Sequence, residues 1–412
     1  MSVNGIDGSG PCGSRGSFRL ERHPFIERYI ETCAEHLAET IGSHEIDDII
    51  LCGSFALGEG GISFDSTPAL LLSDIDILVV LRRFDTLKRL LPERYELGRS
   101  CEALTDDLRF SGRVDVGLML PEDLERMPPR PGVFDLKRHG RTICGSGRAL
   151  DLVPEYPADR VGGREAVILL ENRIVPLLGR FGDIAAATKG FPYEFLYEIA
   201  RVYTDIATAF LSISGLYVSG YANRSRLFAE AVEEGRILLP VPEGTASLVA
   251  GWTEYKLRPS RARLERDADP EYLGRLWDEA SRCIISCWAA CESFLQGKGP
   301  GSESVQRLLE AREPADGVRT NLRAWRAFIA GTPIGSRLAR LLGGGAILFR
   351  NDPSSLIRTA ALELMNRYVE GRTQNGAKGV SGLTGGGRRT WEEAALEVFE
   401  LWNETVFGRR NG

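Results

Sequence analysis

The chain reads as an α+β N-terminal domain, a small mixed sheet with flanking helices, followed by an all-α helical domain. Three observations predict this. Short β-branched and apolar runs bounded by turn residues occupy Ile46 to Leu120, the pattern of strands. From about Val161 onward the apolar residues recur at helical spacing between Gly, Pro and Asp breakers. The 412 residues suffice for two cores of ordinary size.

A Gly/Ser-rich tail over residues 1–16 reads as flexible, because that composition cannot bury a core. The first domain then spans residues 17–155 and the helical domain 156–412. Pro24–Ile41 is an amphipathic helix, with Pro24 at its start and Ile26, Tyr29, Ile30, Cys33 and Leu37 on one stripe. Ile46–Cys52 is a strand running into a tight turn at Gly53-Ser54, and a Gly-rich, proline-containing loop covers Leu57–Leu72. Asp74–Leu81 is the next strand, and helical pieces follow at Leu87–Leu91 and near Ser100–Asp107. Arg113–Leu120 is a strand, Phe134–His139 a short helix and Arg141–Cys144 an edge strand.

Beyond the boundary, helices are expected at Arg164–Leu178, Tyr193–Leu216, Arg224–Glu234, Ser247–Lys256, Pro270–Gln296 and Glu303–Arg312. Four more follow at Val318–Ala330, Ile334–Leu342, Ser355–Tyr368 and Thr390–Phe407, with a mobile Gly-rich loop at Gln374–Arg389. Cys283, Cys287 and Cys291 recur every fourth residue, which reads as small apolar side chains in a helix interface rather than a zinc site.

Composition narrows the function. A hydrophobic fraction of 43%, a charged fraction of 26% and a net charge of −6 describe a water-soluble globular protein with no wholesale affinity for a phosphate backbone. Eight cysteines without a secreted framework, no apolar stretch of membrane-spanning length and no signal-like N-terminus make the cytoplasm the expected compartment.

The residues Ser73-Asp74-Ile75-Asp76-Ile77-Leu78-Val79-Val80 are unusual for a purely structural strand. Carboxylates are poor strand formers, and two at i and i+2 project from one face, where they repel unless a cation separates them. Ile75, Ile77 and Val79 would bury the other face, leaving a paired-carboxylate surface suited to a divalent metal. Asp115, between Val114 and Val116, can point to the same side from a neighbouring strand. Three carboxylates so placed would hold two metals about 4 Å apart for in-line nucleotidyl displacement. Asp115 would then ligate a metal or take the attacking hydroxyl's proton as general base. Gly53-Ser54 adds a turn whose backbone can approach a triphosphate, because glycine carries no Cβ.

With these residues the chain resembles the DNA-polymerase-β-like nucleotidyltransferase superfamily, including its minimal and aminoglycoside-type members. The resemblance rests on LCGSFALGEGG, SDIDILVV and RVDVGLM at matching places and covers roughly Ile46–Gly145. It extends to Leu136-Lys137-Arg138-His139-Gly140-Arg141, which looks like the end of such domains. It implies that Asp74, Asp76 and Asp115 are the catalytic residues and ligate Mg²⁺, with two ions expected. Gly53 and Ser54 would contact the triphosphate. The implied enzyme moves a nucleoside monophosphate, AMP from ATP being the expected case, to a hydroxyl of a small molecule or protein and releases pyrophosphate. The helical domain would bind that acceptor or a partner. The alternatives are a catalytically inactive nucleotide-binding regulatory module and a protein-adenylylating, antitoxin-like transferase. The segment between Ser54 and Asp74 is longer than in compact members by ISFDSTPALLL, and its Asp65 reads as a solvated loop acid. Trp252–Leu264 and Tyr217–Arg226 are the candidate acceptor-facing pieces, and ordinary helix ends remain the simpler reading of each.

Overall fold

The computed structural model describes residues 23–186, 192–263, 269–299, 301, 303–312, 352–373 and 390–407. The expected tail, the helices Val318–Ala330 and Ile334–Leu342, and the glycine-rich stretch Gln374–Arg389 lie outside them.

A four-stranded mixed sheet anchors the N-terminal region. Its strands are β1 (Ile46–Leu51), β4 (Ile75–Leu81), β6 (Val114–Met119) and β7 (Arg141–Gly145), in the spatial order β6-β4-β1-β7. β1 is antiparallel to both neighbours, and β4 and β6 run parallel. The side-chain alternation of a strand sends Ile75, Ile77, Val79 and Leu81 to one face and Asp76, Leu78 and Val80 to the other.

Both faces are covered. On the first, helix α1 (Pro24–Ile41) lays down Ile26, Tyr29, Ile30, Cys33 and Leu37, joined by Leu97 and Cys101 of α4 (Arg94–Glu102). On the second, Ile50, Leu78 and Val80 meet Val133 and Leu136 of α6 (Pro131–His139) and Ala149 of α7 (Ala149–Leu152). Asp48 is fully buried, and its carboxylate accepts the N–H groups of Gly147 at 2.7 Å and Ala149 at 2.8 Å, which fixes the chain where it leaves β7.

Three expectations need correction here. The stretch expected to be a loop from Leu57 to Leu72 holds two strands, β2 (Ile62–Ser63) and β3 (Ala69–Leu71), which form a second sheet with β5 (Leu108–Phe110). Two- and three-residue strands show too little alternation to be seen in sequence, and β3 finds its parallel partner about forty residues away. The helix expected near Ser100–Asp107 lies earlier, at α4, because Gly98 lets that helix sit directly on β6. A Cβ at Gly98 would be 2.3 Å from the Val114 carbonyl oxygen. Gly53-Ser54 opens the short helix α2 (Gly53–Ala56) instead of a bare turn, with Gly53 at φ +61°.

The C-terminal region is helical. Helix α8 (Gly163–Gly179) packs against α10 (Tyr193–Ile213), α13 (Pro270–Leu295), α15 (Pro353–Val369) and α16 (Trp391–Phe407). Between α8 and α10 comes the short α9 (Asp183–Ala186). α11 (Tyr221–Glu233) and α12 (Thr245–Leu257) follow α10, and α14 (Val305–Glu310) follows α13. The core is aromatic-rich, and its buried polar tips find partners: Trp277 Nε1 donates to the Leu177 carbonyl at 2.7 Å and Trp391 Nε1 to that of Leu364 at 2.8 Å. Cys287 and Cys291 are buried in this core with Cys283 at its margin, all as free thiols.

Candidate functional site

Asp76 and Asp115 stand directly opposite each other on the parallel pair β4 and β6. The register puts both on the sheet face that carries Leu78 and Val80, and leaves Asp76 half-buried and Asp115 exposed. Asp74 precedes β4 rather than lying within it. Its Oδ1 accepts the Arg113 backbone N–H at 3.1 Å and faces the Arg113 Nε at 3.7 Å. Burial, then the adjacent carboxylates of Asp74 and Asp115, push the Asp76 carboxyl up to about 8, against the pull of Arg201 and Arg113.

Gly53 belongs to the same cluster. A Cβ there would lie 1.9 Å from Asp76 Oδ2, and its positive φ independently disfavours any other residue. The Cys52 N–H donates to the Asp76 carbonyl at 2.8 Å, which ties the end of β1 to the carboxylate strand. Ser54 is buried beside them.

The structure therefore brings Gly53, Ser54, Asp74, Asp76 and Asp115 together, but not as a closed metal cage. Among the described residues, no group of three or more His, Cys, Asp or Glu side chains is arranged to hold a metal ion. Asp74 is engaged by Arg113, while its carboxylate and that of Asp115 both act on Asp76. Mg²⁺ nevertheless keeps several waters and commonly takes only one or two protein carboxylates. The Asp76–Asp115 pair fits that smaller requirement, and its crowding of negative charge is what a cation would relieve.

Sequence reasoning missed the helical contribution. Arg201 of α10 is half-buried, and its Nη1 donates to Glu198 Oε1 at 3.0 Å. Burial would lower its basicity, but the carboxylates of Glu198 and Asp74 hold it well above the ordinary arginine value. Tyr197, one turn earlier, hydrogen-bonds Ser73, and Lys256 Nζ donates to the Tyr197 hydroxyl at 2.8 Å. One signal was available: Glu198, Arg201 and Asp205 recur at i, i+3 and i+7 on an otherwise apolar helix, a charged stripe where core was expected. Lys256, Tyr221 and Arg224 fall within the two segments read as acceptor-facing.

Other charged residues of the N-terminal region lie apart. Arg82 and Arg83, at the far end of β4, pair with Asp47 at 3.8 Å and Glu45 at 3.8 Å. Lys137 Nζ donates to the carbonyls of Leu150 and Asp151, Arg138 pairs with Glu155 at 3.9 Å, and Arg141 with Glu27 at 2.5 Å. Asp65 is not simply a solvated acid: it accepts the Tyr193 hydroxyl and, at 3.0 Å, the Arg261 N–H, tying the insertion to the helical region. A cavity of about 510 Å³ opens between Phe55, Ile62 and Phe64 and the stretch from Leu257 to Ala262, and none of the three aspartates lines it.

Among solved structures the chain is distantly similar to spectinomycin adenyltransferase AAD(9) from Enterococcus faecialis, a structure that holds ATP and spectinomycin. The identity is 11% and the TM-score 0.35, over 62% of this chain and 98% of that one. No protein-family model and no curated protein matches the chain.

Proposed function

We propose that the protein is a nucleotidyltransferase that moves a nucleoside monophosphate, AMP from ATP in the expected case, to a hydroxyl of a small molecule or a protein. The observation that carries this reading is the in-register pair Asp76 and Asp115 on parallel strands, with Gly53 held bare against Asp76. Asp76 and Asp115, joined by Asp74, would hold Mg²⁺, which when bound neutralises phosphate charge and lowers the pKa of the attacking hydroxyl.

The remaining chemistry belongs to the chain's own side chains. Gly53 and Ser54 would meet the triphosphate, since the absence of a Cβ lets the backbone come close. Arg201 and Arg113 add positive charge on the same side and would offset charge building up on the leaving pyrophosphate. Asp115, the most exposed of the three carboxylates, is free to accept the acceptor's proton as its oxygen bonds to the α-phosphorus and the bond to pyrophosphate breaks. A net charge of −6 favours a small-molecule or protein acceptor over a polynucleotide.

The test is pyrophosphate release from each NTP with Mg²⁺ and cell extract, followed by identification of the labelled product. Asp76→Ala is expected to lower turnover by about 10²–10³-fold with a folded protein by circular dichroism. Unchanged Mg²⁺-dependent release in that variant would mean the chemistry lies elsewhere.

A further inference from the structure

Ser73 immediately precedes Asp74, and it is buried and fully engaged. Its Oγ accepts the Gly61 N–H at 2.8 Å and meets the Tyr197 hydroxyl, while the N–H groups of Leu72 and Ser73 both donate to the Gly61 carbonyl at 3.0 and 3.1 Å. Tyr197 comes from the helical region and is itself buried, with its ring against Leu70 and Leu72. Gly61 makes room for it, since a Cβ at Gly61 would be 2.5 Å from the Tyr197 ring. Lys256 completes the chain from α12, its ammonium 2.8 Å from the Tyr197 hydroxyl and 4.2 Å from the centre of the Tyr221 ring.

An ammonium can only donate, so the Tyr197 oxygen receives from Lys256, and between the Tyr197 and Ser73 hydroxyls either can be the donor. A phenylalanine would fill the same space, so the packing alone does not require the hydroxyl. A buried hydroxyl is costly unless bonded, and this one is bonded on both sides.

We propose that Tyr197 and Lys256 are an interdomain positioning pair. They hold Ser73, and through it set the placement of Asp74 and Asp76, so that the donor site reaches its geometry only with the helical region docked. The purpose assigned to the pair rests on the nucleotidyl-transfer reading, while the contacts stand without it. Tyr197 and Lys256 are positioning residues and not catalytic ones.

The test compares the full-length wild type with Tyr197→Phe, which keeps the ring, and Lys256→Met, which keeps the length and removes the charge. Amide exchange over residues 72–77, Mn²⁺ affinity by calorimetry and Tm are read on each. The expected result is faster exchange over 72–77 and Mn²⁺ binding weakened about fivefold, as for one lost hydrogen bond, with a small change in Tm. Exchange over 72–77 equal to wild type in Tyr197→Phe would overturn the proposal, because the tyrosine would then serve packing alone. Should Tyr197→Phe fail to fold, Lys256→Met carries the same readouts, and should the wild type bind no Mn²⁺, exchange alone decides. The two readings fail separately: variants that show these differences, beside a wild type that releases no pyrophosphate from any NTP, remove the transferase and leave the positioning pair.

Discussion

Glu198 shows how a single charge is shaped by its setting. Burial works against its ionisation, but Arg201, Arg173 and Arg180 overcome that and hold its carboxyl at about 2, down from an ordinary 4.5. A carboxyl depressed in the folded state contributes stability that is complete above 4.5 and is lost as pH falls through about 2. Thermal melts of the wild type should therefore lose stability as pH drops through that window, and Glu198→Gln should show a shallower slope. Parallel slopes would show that the arginines are satisfied by other partners, such as Asp205, whose Oδ2 accepts from Arg173 at 2.7 Å. At this scale the sequence was only partly legible. Asp74, Asp76 and Asp115 stand out because carboxylates are rare in apolar stretches, and Arg201 is marked only by its charged stripe, whereas Tyr197 resembles any polar residue on a long helix until a partner is placed beside it.

At the scale of elements, the parallel register of β4 and β6 does most of the work. It sets Asp76 against Asp115, and a shift by one residue would send the carboxylates into the core face. The approach of α2 to β4 is equally specific, because Gly53 leaves the space that Asp76 Oδ2 occupies. Gly53→Ala is expected to displace that carboxylate and lower Mg²⁺-dependent turnover by about 10²-fold, with a fold intact by circular dichroism. Turnover within twofold of wild type would show that the Asp76 side chain relocates without consequence. The strands of the main sheet and most helices were visible in the sequence because their periodicity is sustained over a turn or more. The second sheet was not, since pairings as short as β2 with β3 are decided by what lies next to them.

At the scale of the molecule, buried polar ties join the two regions. The Glu59 carboxylate accepts the N–H groups of Tyr221 at 2.5 Å and Ala222 at 3.2 Å, at the start of α11. Asp135 of α6 accepts from the Tyr217 hydroxyl at 2.9 Å, the Ser219 hydroxyl at 2.7 Å and Arg224 Nη1 at 3.3 Å. Arg224 is buried, so removing the Asp135 carboxylate leaves its charge with the Tyr217 hydroxyl at 2.7 Å and the more remote Glu59 carboxylate. Asp135→Ala should cost about 3–5 kcal/mol in urea unfolding, as for breaking a buried ion pair. A loss under 1 kcal/mol would mean that Tyr217 and the adjacent rings suffice for Arg224.

The amino-acid sequence by itself determined the two-part character of the chain, the main strands, and the carboxylate and glycine positions that make up the candidate donor site. These depend on local periodicity and on residue types that are costly in their positions unless used. Only the tertiary structure decided that Asp76 faces Asp115 in register, that Asp74 is engaged by Arg113, and that Arg201, Tyr197 and Lys256 arrive from the helices. Those are contacts between residues tens to more than a hundred positions apart. Packing and charge complementarity between elements create them, and no local pattern encodes them.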